Sequence, residues 1–108
     1  MSKFTHPLED GDFESKVTNA KGLVMVDFWA EWCGPCRTLA PVVEDLAKNH
    51  EGSVRVYKMD VDANPQSPTR FHIRGIPTVI LFKNGVAVDQ IVGNQPREVF
   101  ENAIKSHL

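Results

Sequence analysis

The chain has 108 residues, 42% of them hydrophobic and 24% charged, with 12 basic and 14 acidic side chains and a formal net charge of −2. That balance describes one globular domain over residues 1–108 with a core of its own, and it excludes a disordered chain or a disulfide-stapled miniature. No basic stripe suggests nucleic acid, and no apolar run nears the roughly 20 residues of a membrane span, so neither partner is expected.

In chain order, Met1-Ser2-Lys3-Phe4-Thr5-His6-Pro7 lacks the apolar stretch of a signal peptide, and a cytoplasmic protein is expected. Residues around Phe4 to Leu8 suit a short edge strand, because Pro7 cannot donate to a central ladder. Phe13, Val17 and Ala20 recur at helical spacing, with Asp10 or Asp12 as the candidate cap. Leu23 to Ala30 reads as a strand that is apolar on both faces except for Asp27. Such a strand belongs in a sheet covered by helices on each side.

Leu39, Val42, Val43, Leu46 and Ala47 then form the stripe of an amphipathic helix. Pro35 suits its first turn, and Pro41 inside it is expected to kink it. Val54 to Val61 is the next strand. Asn64-Pro65 predicts a cap and first helical residue, with a short helix because Pro68 intrudes. Thr78 to Phe82 and Val86 to Val92 flank Asn84-Gly85, a strong hairpin signal. Gly93 breaks that strand, and Pro96 opens a last helix with the stripe Val99, Phe100, Ala103 and Ile104. The order is β-α-β-α-β-α-β-β-α. Crossover helices join parallel strands and the final hairpin is antiparallel, so an α/β fold with a mixed sheet between helices is expected.

The two cysteines stand three apart, as Cys33-Gly34-Pro35-Cys36, between a buried strand and a helix. A disulfide between them closes so short a ring that it restrains the unfolded chain little, which favours redox chemistry over a structural staple. Cys33 falls at the helix N-terminus, where free N–H groups and the macrodipole favour a thiolate. Cys36 lies one turn on along the same face and is expected to sit deeper. This separates a solvent-reachable nucleophile from a resolving thiol. Ordinary buried cysteines are the alternative. A zinc site is disfavoured, since only the scattered His6, His50, His72 and His107 remain as partners. Asp27 faces an apolar surface, so burial should raise its pKa and suit it to proton exchange with Cys36. A solvated Asp, or a structural pair with Lys58 on the neighbouring strand, remains the other reading.

The run Val26-Asp27-Phe28-Trp29-Ala30-Glu31-Trp32-Cys33-Gly34-Pro35-Cys36-Arg37 resembles the active-site signature of the thioredoxin family. Further matches follow in order at Pro41, Lys58, Asp60, Asp62, Asn64-Pro65, Ile73-Arg74-Gly75-Ile76-Pro77-Thr78, Phe82-Lys83-Asn84-Gly85 and Gly93. The resemblance implies a thioredoxin fold, with a mixed sheet of about five strands flanked by about four helices. It also implies a general protein-disulfide reductase and electron carrier. Cys33 attacks a substrate disulfide and Cys36 resolves the mixed disulfide. Asp27 and Lys58 join the cysteines as catalytic residues. Trp32, Gly34, Pro35, Ile76, Pro77 and Gly93 form the substrate surface, with a cis bond before Pro77 and the Ile76 backbone pairing with an extended substrate segment. Trp29 is more simply a packing residue.

No cofactor or metal is expected beyond the cysteine pair. The chain has no nucleotide fingerprint, so electrons should come from a partner; the resemblance implies NADPH as their source and a thioredoxin reductase as their carrier. The implied partners are that reductase and disulfide-containing proteins, including reductases and peroxidases, with the chain itself a monomer. Pro35 occupies the slot where disulfide isomerases usually carry histidine, which points to a reductant. A binding module without turnover and an oxidase or isomerase are the competing readings. Asn94, Pro68 and His72 depart from the family pattern, His72 standing where a small residue is common.

Overall fold

The computed structural model describes residues 3–108. Strand β1 (Thr5–Pro7) is followed by a 3-10 turn at Asp10–Asp12 and a π-helical stretch at Glu14–Thr18. Next come β2 (Leu23–Trp29), α1 (Gly34–Asn49), β3 (Val54–Asp60), α2 (Gln66–Arg70), β4 (Thr78–Lys83), β5 (Val86–Val92) and α3 (Arg97–His107). They build a five-stranded sheet in the order β1-β3-β2-β4-β5. The pairs β1–β3 and β2–β3 are parallel, while β2–β4 and β4–β5 are antiparallel.

The mixed sheet and the edge position of β1 match expectation. The crossover rule holds for α1, which joins the parallel neighbours β2 and β3. It fails for α2, because β4 runs opposite to β3 with β2 between them.

Both faces of β2 are buried, as its composition predicts. Leu23 and Met25 pack with Leu39, Val43 and Leu46 of α1 and with Phe100 and Ile104 of α3. On the opposite face, Val24, Val26 and Phe28 pack with Leu8, Phe13, Val17, Ile80 and Phe82. The central strand therefore carries two cores, one under α1 and α3 and the other under the 10–18 segment. Val99 is 39% exposed and does not join the α3 stripe in the core. Helix α1 runs on through Pro41 to Asn49.

Among the described residues three α-helices form, against the four expected, and the helical segment expected before β2 is built as a 3-10 turn and a π-helical stretch. The π stretch closes through the Asn19 N–H on the Glu14 carbonyl at 2.8 Å, five residues back. Tertiary packing holds this widened turn. Phe13 lies 5.3 Å from the Phe71 ring and 5.6 Å from the Phe82 ring. Thr18 abuts the β4–β5 turn so closely that a Cβ on Gly85 would lie 2.0 Å from its carbonyl oxygen. That turn is the expected two-residue hairpin, with Asn84 at φ 51° and Gly85 at φ 83°, both in the left-handed region.

The expected caps are exchanged. Asp12 accepts the Glu9 N–H at 2.8 Å and so caps its own segment, whereas Asp10 reaches across the chain to α2. Its carboxylate accepts Gln66 N–H at 3.0 Å, Ser67 N–H at 2.8 Å and the Ser67 hydroxyl at 2.6 Å. Asn64 does not cap α2, and Pro65 occupies the capping position. The Asn64 side chain instead accepts the Asp10 N–H and donates to the Asp60 carbonyl.

Candidate active site

Strand β2 ends at Trp29, and the chain turns through Ala30 to Trp32 before α1 begins. The turn closes with Cys33 N–H on the Ala30 carbonyl at 3.2 Å. Cys33 is the N-cap of α1, with extended backbone angles, and its Sγ accepts the Cys36 N–H at 3.2 Å. A helix N-terminus has unpaired N–H donors, and here one of them points at sulfur. Gly34 and Pro35 fill the first turn, where proline has no helical hydrogen bond to lose.

Cys33 and Cys36 are joined by a disulfide, with Cα atoms 5.2 Å apart. The expected difference in depth is absent in this oxidised form: Cys33 is 3% and Cys36 4% exposed. Hydrogen-bond geometry, rather than exposure, distinguishes the two. The Cys33 sulfur alone faces the capping N–H, and it lies 3.8 Å from the Ile76 carbonyl oxygen. Ala30 packs with the two cysteines, and Trp29, Val61 and Ile76 border them. Their chain neighbours Glu31, Trp32 and Pro35 are exposed.

The Thioredoxin family model matches residues 4–106. Thioredoxins of Staphylococcus aureus strains Mu50, MW2 and N315 are each 48% identical over 99 residues, covering 92% of this chain and 93% of theirs. The chain belongs to the thioredoxin family. It is accordingly a protein-disulfide reductase that works by dithiol–disulfide exchange on disulfide-containing substrates. In the thioredoxin family the redox centre is the cysteine pair itself and no cofactor is bound. Among the described residues, no group of three or more His, Cys, Asp or Glu could hold a metal ion, and no helix is long and apolar enough to cross a membrane.

The remaining residues of the thioredoxin signature gather around this pair to differing degrees. Asp27 is 1% exposed on the sheet face that α1 covers, two residues beyond Met25 in the direction of the cysteines. Cys36 lies one turn before Leu39 on the buried side of α1. Burial raises the Asp27 pKa from 3.8 to about 6, and the positive charge of Lys58 partly opposes the rise. Lys58 is its register partner on β3, with Nζ 4.9 Å from the centre of the Trp29 ring. Trp29 is half-buried against the cysteines, as a packing residue should be.

On the surface side, Trp32 is 68% exposed and donates from Nε1 to the Asp62 carboxylate at 2.8 Å. The Ile76–Pro77 bond is cis. Gly93, at φ 88°, donates its N–H to the Pro77 carbonyl at 2.8 Å, which brings the end of β5 beside the cis-proline loop. Two residues without a role assigned from the sequence also reach the site, Val61 and the family-matching Asp62. Val61 borders the cysteines through its N–H on the Trp29 carbonyl at 2.9 Å, and Asp62 holds Trp32. Both stand beyond the end of β3, some thirty residues from their contacts, and no local pattern links them.

Proposed function

We propose that Cys33 is the attacking thiol and Cys36 the resolving one. The observation that carries this assignment is the Cys36 N–H directed at Cys33 Sγ from the first turn of α1. In the reduced protein that donor and the helix field favour the Cys33 thiolate. The thiolate attacks one sulfur of a substrate disulfide, the substrate S–S bond breaks, the other sulfur leaves as a thiolate that takes a proton from solvent, and a mixed disulfide forms on Cys33. Cys36, deprotonated by Asp27, then attacks Cys33 Sγ. The second substrate sulfur leaves and takes up a proton, and the Cys33–Cys36 bond returns. Asp27 suits this proton transfer because its raised pKa, about 6, leaves it basic at neutral pH yet able to be protonated. Lys58 tunes that carboxyl.

Trp32, Gly34, Pro35, Ile76, Pro77 and Gly93 form the substrate surface on this reading. The nearness of the Ile76 carbonyl to Cys33 supports backbone pairing of an extended substrate segment there. The dithiol is regenerated by a thioredoxin reductase carrying electrons from NADPH. The protein acts as a single-domain monomer over residues 1–108 in the cytoplasm, with reductases and peroxidases among its substrates.

The roles are separable by trapping. Cys36→Ser should accumulate a stable mixed disulfide with a protein substrate, visible by mass spectrometry, whereas Cys33→Ser should form none. Equal trapping by both variants would overturn the assignment. The double serine variant tests the binding-module alternative, which requires biological activity to survive without either sulfur. A reduction potential well below that of disulfide isomerases supports a reductant over an oxidase.

A further inference from the structure

A chain of hydrogen bonds leads from Asp10, before the π-helical stretch, to Trp32 beside the cysteine pair. The Asp10 carboxylate holds the start of α2 through Gln66 and Ser67. Its N–H donates to Asn64 Oδ1 at 3.0 Å. Asn64 in turn holds the end of β3, since its Nδ2 and backbone N–H both reach the Asp60 carbonyl, at 3.2 and 3.0 Å. Asp60 closes the loop from inside by accepting the Asp62 N–H on Oδ1 at 3.0 Å. Asp62 then accepts Trp32 Nε1. The loop from Val61 to Pro65 is thus gripped at both ends and at its centre, and its one outward carboxylate fixes the indole that borders Cys33.

We propose that Asp10 is a positioning residue for Trp32: by clamping the β3–α2 loop at Asn64, Gln66 and Ser67 it orients Asp62, and Asp62 holds the indole where a substrate segment must lie. The inference rests on the substrate surface proposed above and adds a residue remote from it. An indole exposed over most of its surface has many orientations available. A single hydrogen bond restrains it only as far as the acceptor is itself restrained. Asp62 is exposed and sits on a loop, so its fixity comes from the clamp. Asp10 suits that task because a carboxylate accepts three hydrogen bonds at once, from two backbone N–H groups and a hydroxyl.

The test uses the oxidised full chain in a Trp29→Phe background, which leaves Trp32 as the only tryptophan. Trp32 fluorescence anisotropy should fall in Asp10→Ala to the level seen in Asp62→Ala. Asp10→Asn keeps an acceptor for Ser67 but not for Gln66 and should lie between. In the otherwise unaltered chain, Asp10→Ala should raise KM for insulin disulfides about threefold with kcat little changed. Unchanged anisotropy and KM in a folded Asp10→Ala protein would overturn the proposal. Should that variant fail to fold, Asp10→Asn and Ser67→Ala decide it, and parental anisotropy in both refutes it. If the parent protein does not reduce insulin, the proposed substrate surface fails instead, and the anisotropy series still judges the clamp.

Discussion

Asp27 and Lys58 are register partners on adjacent parallel strands, yet the lysine ammonium lies over the Trp29 ring, and Asp27 Oδ1 is buried without a hydrogen-bond partner. The pair therefore acts through space rather than by direct contact. A carboxylate in this position is held by a nearby charge alone, which leaves its proton easy to gain and to lose.

Lys58→Met keeps the stem packed on Trp29 and removes the charge. With the opposing influence gone, the Asp27 pKa should move further up. Less of the carboxyl is then ionised at neutral pH, and resolution of the mixed disulfide should slow roughly threefold at pH 7. Stopped-flow kinetics across pH 5 to 9 should show the profile displaced to higher pH. An unshifted profile would remove Lys58 from the mechanism.

Asp27 also sets a pH dependence of stability. Its pKa is 3.8 ordinarily and about 6 in the folded protein, so the fold binds this proton more tightly than the unfolded chain does. Its contribution is fully present below pH 4, declines as pH rises through 6 and stays low above that. A displacement of two pK units corresponds to about 3 kcal/mol. In the oxidised protein, Asp27→Asn should be more stable than the parent at pH 7.5, by up to about that amount, and have no advantage at pH 4. Denaturant titrations at the two pH values check this. The same pH slope in parent and variant would assign the effect to another group.

His72 occupies the left-handed region at φ 56° and is exposed. A side chain there costs energy that glycine avoids, offset partly by the greater freedom of glycine when unfolded. His72→Gly should raise stability by about 0.5–1 kcal/mol and the melting temperature by several degrees. A lower melting temperature would mean that the imidazole makes a stabilising contact of its own.

Gly85 and Gly52 separate backbone conformation from space. Both have positive φ, 83° and 89°, but a Cβ on Gly52 meets nothing within 4 Å, whereas one on Gly85 strikes the Thr18 carbonyl. Gly52→Ala should cost about 1 kcal/mol, and Gly85→Ala more than about 2 kcal/mol because the turn must also part from the π-helical stretch. Equal losses in urea unfolding would show that the turn yields freely.

Much of the site was legible because its signals are local. Cys33-Gly34-Pro35-Cys36 places a sulfur at a helix N-terminus within a few residues, and the alternation along β2 gives the face of Asp27. Depth is not legible in the same way, because helical position predicts side only, and the two cysteines are equally buried in the oxidised form. Local pattern points to Asn64 as the cap of α2 because it is the nearest acceptor in the chain. The acceptor that serves comes from Asp10, more than fifty residues away.

Periodicity and chemistry are written along the chain: which segments alternate, where chain-breaking residues fall, and which thiols and carboxyl stand close together in it. The direction of β4, the π-helical form of residues 14–18 and the company of Trp32 emerge from the packed fold. Each depends on contacts between segments far apart in sequence. Packing against distant side chains outweighs the fraction of a kcal/mol per residue that local propensity supplies.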